Sequence, residues 1–241
     1  MTQNSNPTIV LIPGLGNTRT LWSQQAGALG EAADVIVADI VGCDSVGQMA
    51  DAVLEQSPSA PLSLVGFSLG GYVALDILKR RDISVARLAL ISASPYADNE
   101  AAVTQRQRLI DKARENYRGL LVDMGKLVVF PRGPHTESTR TCLVEMGEEL
   151  GVDEFCRQQV VAMKRDDCCD MLATISVPTR ILCGRNDLVT PVDGHERLLN
   201  GIAGATLEMV SRTGHLLPLE RPDAVNRFLL DWLTLPASNQ V

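Results

Sequence analysis

The sequence predicts an α/β fold: a mostly parallel, doubly wound sheet with an inserted helical lid. Three observations carry that expectation. Short apolar, β-branched runs alternate with helix-length segments as far as Pro95. The alternation then stops and resumes near Thr179. The runs are apolar at nearly every position rather than at alternate ones, which marks strands covered on both faces, as in a parallel sheet.

The elements follow in order. "TIVLI" from Thr8 to Ile12 reads as the first strand, followed by a glycine-rich turn and a helix from Trp22 to about Leu29. "DVIVADI", Asp34 to Ile40, is the second strand, and Ser45 caps a helix reaching Ser57. "LSLVGF" is the third strand, Leu69 to Arg80 the next helix, and Ala86 to Ala93 the fourth strand. Residues 97–172 read as a helical insertion. Within them Ile110, Ala113, Tyr117, Leu121 and Met124 recur at spacings of three and four, the mark of one amphipathic helix. Two more helices are expected around Arg140 to Leu150 and Asp153 to Arg165. The core then closes with strand Thr179 to Gly184, helix Gly194 to Ile202, strand Ala205 to Ser211 and helix Pro222 to Leu233. The expected division is 1–96 with 173–241 for the core and 97–172 for the lid. Segments inserted between strands emerge at an end of the sheet, where ligands bind. Only the last few residues read as a loose tail.

Composition bounds the function. The 241 residues carry a formal net charge of -7, which disfavours binding to a phosphate backbone. No apolar run approaches the ~18 residues of a membrane span, and the N-terminus lacks the basic and apolar regions of a secretory signal. A cytoplasmic protein is expected, with neither nucleic acid nor membrane as partner. Cys43, Cys142, Cys156, Cys168, Cys169 and Cys183 show no metal-binding spacing and read as reduced, mostly buried thiols. No metal site is expected.

The chemistry concentrates at Gly66-Phe67-Ser68-Leu69-Gly70, where a strand gives way to a helix. A serine between glycines at such a junction fits G-x-S-x-G, a sharp turn that exposes a nucleophile above the sheet. A serine hydroxyl needs a base. Of the three histidines, His135 lies in a Pro/Gly-rich loop of the insertion and His195 at a helix start, where a capping or surface place is ordinary. His215 follows the last strand, where a base can reach Ser68. Asp187, just past the Thr179–Gly184 strand, is the carboxylate to hold that imidazole; Asp193 lies nearer the following helix. Leu69 and Leu15, in the "PGLGNTRTLW" loop, are placed to give the two backbone donors of an oxyanion hole. Gly14, Phe67 and Leu216 are candidates for the pocket wall.

With these segments placed, the chain resembles the α/β-hydrolase superfamily from Thr8 to Leu233, in its "PGLGNTRTLW", "GFSLGG", "PTRILCGRNDLVTP" and "GHLLPLERPDAVNRFLLDWL" motifs. It is most similar to the lid-bearing small esterases, enol-lactonases and meta-cleavage carbon–carbon hydrolases. The resemblance implies a helical lid between the fourth and fifth strands. It also makes Arg165-Asp166 similar to an element recurrent in related esterases, expected to anchor the lid by an ion pair. Two features depart from the pattern: Pro13-Gly14 replaces the frequent His-Gly, and "ADIVGCDS" lacks a Pro-Gly turn.

The expected function is therefore hydrolysis of a carboxylic ester or similar acyl bond through an acyl-enzyme, without metal or organic cofactor. Carbon–carbon hydrolysis or enol-lactone opening uses the same triad, because pocket and lid choose the bond. A non-catalytic binding protein on this scaffold is the third reading. The partner is a small acyl or ester substrate. Arg106, Arg108, Lys112, Arg114 and Arg118 crowd one stretch of the lid and read as a solvated face; any part turned inward would meet an anionic substrate or an acyl carrier. Oligomeric state is not readable from this sequence.

Overall fold

The structure is a computed structural model that describes residues 6–58, 61–80 and 82–238. Most of the loose tail, and the first five residues of the N-terminal stretch, lie outside them.

Six strands form one parallel sheet in the order β2-β1-β3-β4-β5-β6. They are β1 (Thr8–Ile12), β2 (Asp34–Val37), β3 (Leu62–Phe67), β4 (Val85–Ile91), β5 (Thr179–Gly184) and β6 (Thr206–Val210). All six expected strands are present; β2 stops three residues early, because Asp39 turns to hydrogen-bond Gln56 instead of continuing the ladder.

Alternate strand residues serve opposite faces, which explains the unbroken apolar runs. Val10, Ile12, Leu64, Leu88, Leu90 and Ile181 pack against α2 (Val46–Glu55), α3 (Leu69–Lys79) and α7 (Val192–Gly201). Ile9, Leu11, Val65, Phe67, Ala89 and Leu182 pack on the other face against α1 (Ser23–Leu29) and α9 (Pro222–Leu233). Trp22 and Trp232 are fully buried there. Ser45 caps α2 as expected, its hydroxyl accepting from the Gln48 amide at 3.1 Å.

Between β4 and β5 the chain is helical: α4 (Glu100–Val128), α5 (Thr136–Leu150) and α6 (Val152–Met163), then a 3₁₀ turn from Cys169 to Thr174. The single amphipathic helix expected through Ile110 to Met124 is broken. Asn116 leaves helical geometry (φ -155°, ψ 82°), and its side chain accepts the Gly119 amide at 3.0 Å, restarting the helix as an N-cap does. The break lets Ile110 and Ala113 pack on Phe155 while Leu121 joins the core beside α9.

A short helix, α8 (Leu217–Glu220), precedes α9. The six cysteines are free, three of them buried and three half-buried, with Cys168 and Cys169 unbonded to each other. Burial and the nearby Asp167 push the Cys168 thiol up to about 11. No helix among the described residues is long and apolar enough to cross a membrane.

Candidate active site

The chain reverses its direction of travel across the sheet between β1 and β3, so the loops at their carboxyl ends diverge and leave a crevice. Ser68 stands at that point. Its φ of 51° and ψ of -114° lie in a region that L-residues rarely adopt, and its amide donates to Ile91 O at 3.0 Å. The flanking glycines are required by close approach. A Cβ on Gly66 would lie 2.6 Å from Gly71 Cα, and one on Gly70 would run into the Ile12 carbonyl. Only a chain without those carbons can pack α3 this tightly against β1 and β3.

The structure brings Ser68, His215 and Asp187 together. His215 Nε2 lies 3.1 Å from Ser68 Oγ, and its Nδ1 lies 2.8 Å from Asp187 Oδ2. Asp187 is buried, and it also caps the turn before Pro191: its Oδ1 accepts the Val189 and Thr190 amides at 2.8 and 3.0 Å, and its Oδ2 accepts the Thr190 hydroxyl at 2.7 Å. Burial works to raise this carboxyl, but the His215 ring and the Thr190 donors outweigh it and hold the group below the ordinary carboxylate value. An ionised Asp187 accepts a hydrogen bond from Nδ1–H, which fixes the tautomer and leaves Nε2 free to accept from Ser68.

The His215 backbone is clamped as firmly as its ring. Its amide donates to Val128 O at 2.8 Å, and its carbonyl accepts the Ser92 hydroxyl at 3.0 Å. On either side, the Gly214 and Leu216 amides donate to Glu220 at 3.0 and 3.1 Å. Glu220 also accepts the Phe130 amide at 2.9 Å, so one buried carboxylate ties the His215 loop to the end of α4. Burial lifts the Glu220 carboxyl above its usual range, against the pull of those three amides. Glu220 is not among the site residues expected from the sequence. Its only signal was a carboxylate five residues past His215, inside a short helix that was not foreseen.

Leu15 and Leu69 line the same cavity as Ser68. Among the described residues no protein acceptor engages either amide. The next amide, Gly16, donates to the buried Gln158 of α6 at 2.8 Å, which fixes the turn that carries Leu15. Of the three expected wall residues, Leu216 lines the cavity. Phe67 does not, because the strand alternation turns its ring to the opposite face, where it packs edge-on to Trp22 and 5.1 Å from the His215 ring. Gly14 lies beneath the cavity, pressed against the Phe67 ring.

His195 corrects the expectation of a surface or capping place. It is fully buried, with Nδ1 3.2 Å from the Pro191 carbonyl, and burial lowers its pKa. It faces inward because α7 packs that side against the sheet. His135 is exposed at the start of α5, and Asp193 is exposed on α7, away from the His215 hydrogen bonds. Arg165 makes its ion pair with Asp98 rather than with Asp166.

The cavity above Ser68 holds about 430 Å³. Its walls differ along α4. Asp98, Gln105 and Arg106 lie at the first half beside Arg165 and Gln159, interleaved with the apolar Ala102, Leu109 and Phe155, whereas the second half is apolar throughout, with Leu121, Met124, Leu127 and Val128 beside Leu143 and Leu216.

The profile of the alpha/beta hydrolase family matches residues 9–228. A Serratia proteamaculans protein provisionally named carbamate hydrolase RutD is 27% identical over 94% of this chain and 91% of its own length. The 2-hydroxy-6-oxononadienedioate/2-hydroxy-6-oxononatrienedioate hydrolase of Escherichia coli is 28% identical over 95% of this chain and 88% of its own. A malate-bound thermophilic esterase from Thermogutta terrifontis superposes with a TM-score of 0.84 at 25% identity, covering 95% of this chain and 90% of that one. With the fold, the elbow and these relatives in agreement, the chain belongs to the alpha/beta hydrolase family and is an enzyme of the hydrolase class.

Proposed function

We propose that this enzyme cleaves a small-molecule carboxylic ester, or a similar acyl bond, through an acyl-enzyme on Ser68. One observation carries the reading: Ser68 Oγ, the His215 ring and the Asp187 carboxylate form a continuous hydrogen-bonded line beneath a largely apolar cavity. His215 Nε2 takes the Ser68 proton as Oγ attacks the carbonyl carbon. The tetrahedral oxyanion is met by the Leu15 and Leu69 amides, which have no competing protein acceptor among the described residues. His215 returns the proton to the leaving oxygen as the C–O bond breaks. It then removes a proton from water, whose oxygen attacks the acyl carbon, and finally returns that proton to Ser68. Asp187 stabilises the imidazolium throughout.

The helices at 97–172 act in this reading as a lid: they roof the cavity and supply most of its apolar wall. An acyl chain lies against Leu121, Met124, Val128 and Leu143. The scheme extends without change of machinery to a carbamate, the bond in the name of the Serratia relative.

The test is turnover of a p-nitrophenyl ester series from acetate to palmitate, with Ser68→Ala as control. The expected result is serine-dependent hydrolysis with a chain-length optimum, falling by at least about 10³-fold in Ser68→Ala. A folded wild type that turns over no ester while a fluorophosphonate labels Ser68 would transfer the same triad to carbon–carbon or enol-lactone substrates. Absence of both would sink the catalytic reading.

A further inference from the structure

The first half of α4 places charge where the proposed ester reaction has no use for it. Asp98 is 5% exposed and receives two guanidinium groups, one on each oxygen. Arg106 Nε donates to Oδ2 at 2.5 Å and Arg165 Nη2 to Oδ1 at 2.6 Å. Arg165 is 10% exposed, lies 4.6 Å above the Tyr72 ring and donates through Nη1 to Ala162 O at 2.6 Å. Its Nε is buried and has no partner among the described residues. Arg106 is 24% exposed; its Nη1 donates to the buried Gln159 at 2.8 Å, and no protein acceptor among the described residues takes its Nη2. Both arginines line the cavity that holds Ser68.

Two cations share the one buried carboxylate Asp98; Arg165 also lines a second cavity with Asp166 and Asp167, whereas Arg106, half-buried, has no second carboxylate partner among the described residues. Asp193, the other carboxylate on the lining, is exposed, and water screens it. Tyr72 does not compensate: its hydroxyl donates to Tyr96 O at 2.6 Å, and burial keeps the phenol protonated. The Arg106 fork is meanwhile fixed on two sides, by Asp98 and by Gln159, so its remaining N–H groups are held in place before any ligand arrives. A planar guanidinium so oriented matches a carboxylate. Ser94 and Gln105 add neutral polar groups to the same wall. Of the basic residues crowding this helix, Arg106 is the one that the fold turns inward.

We propose that the substrate carries a second, free carboxylate, recognised by Arg106 at the end of the cavity under the first half of α4, with its apolar part under the second half. The inference rests on the reading of Ser68 as nucleophile of that cavity. It makes the enzyme selective for anionic amphiphilic esters: half-esters of dicarboxylic acids, or esters of a hydroxycarboxylic acid. Asp98 and Arg165 are positioning residues that hold the Arg106 fork.

Two matched pairs decide it. On the acyl side, the mono-p-nitrophenyl ester of adipic acid is compared with p-nitrophenyl hexanoate; on the alcohol side, 4-carboxyphenyl hexanoate is compared with phenyl hexanoate. The reading is the ratio of kcat/KM, charged to neutral, within each pair. Wild type should favour the charged member of one pair by at least about tenfold, mainly through KM, and the pair that responds identifies the side carrying the carboxylate. Arg106→Gln should bring that ratio close to one, and Arg106→Lys should restore part of it. A lid merely loosened by substitution lowers both rates and leaves the ratio standing. Binding supplies a readout independent of turnover: monoethyl adipate against diethyl adipate, titrated by calorimetry into Ser68→Ala. Tighter binding of the monoanion, abolished by the added Arg106→Gln change, supports the proposal even if no ester is hydrolysed. Ratios near one in both pairs, with equal binding of the two adipates, would overturn it and leave the esterase reading intact.

Discussion

The sheet core and the helical cap of this molecule hold their functional groups by different means. In the core, β3 and α3 meet so closely that glycine alone fits at 66 and 70, and backbone geometry itself sets Ser68. In the cap, side chains do the holding. Arg106 and Arg165 share Asp98, Gln158 reaches down to the Gly16 amide, and Glu220 joins the end of α4 to the His215 loop. Backbone constraints admit almost no substitution, whereas side-chain contacts can be exchanged one at a time. On the proposed function, the core therefore fixes the reaction and the cap is free to choose the substrate.

The hardest way to break that contrast is to add carbon to the elbow. Gly70→Val forces a branched side chain into the Ile12 and Pro13 carbonyls. It should destabilise the fold by about 3 kcal/mol or more and remove activity with it, seen as a large fall in thermal midpoint or loss of soluble protein. A variant that melts like wild type would show that α3 can move away from β1, and that the core is not rigid at this contact.

Glu220→Gln probes the joint between the two regions. The amide keeps one acceptor oxygen but turns a donor NH₂ toward amides that need an acceptor: Leu216 at one oxygen, Gly214 and Phe130 at the other. At least one buried amide loses its partner, at about 1–3 kcal/mol. Turnover should fall about 10- to 100-fold, with KM changing less than kcat, because the base rather than the cavity is displaced. A KM effect alone would make Glu220 part of the cap only.

Gln158→Ala tests the cap by itself. The Gly16 amide loses its acceptor and the turn carrying Leu15 loosens. The expected loss in kcat is several-fold, about 1 kcal/mol, accompanied by a lower thermal midpoint, because the fully buried Gln158 also donates to Glu154 at 2.9 Å. An unchanged kcat would mean that β1 alone fixes the turn.

The smallest effect is a pH dependence within the core. Burial lowers the His195 pKa below its unfolded value near 6.5. Between the two values the unfolded chain binds a proton that the native fold refuses, so stability falls as pH drops below about 6.5, by at most about 1.4 kcal/mol per pH unit. Glu220, whose pKa is raised, contributes in the opposite direction over its own window. The effect is therefore read as the difference between wild type and His195→Gln in thermal midpoint from pH 7.5 to 5.5. Equal slopes would place that titration elsewhere.

Much of this could be read from the chain alone because it rests on local rules. Continuous apolar runs such as Thr8–Ile12 and Leu62–Phe67 have nowhere to go but a sheet covered on both faces. G-x-S-x-G, followed by a carboxylate and a histidine each just past a strand, placed three residues far apart in sequence at one end of that sheet. That the three come within hydrogen-bonding distance, the composition of the cavity and the inward turn of Arg106 were decided by packing. Phe67 and His195 show the limit: adjacency to the nucleophile did not put Phe67 in the cavity, and a helix start did not expose His195. The break at Asn116 obeys the same logic, since a run of well-spaced apolar residues gives no warning that Leu121 leaves the cluster that Ile110, Ala113 and Met124 share. Periodicity reports which face of an element is apolar. Only the assembled fold determines what that face meets, because burial and charge pairing depend on segments a hundred residues away.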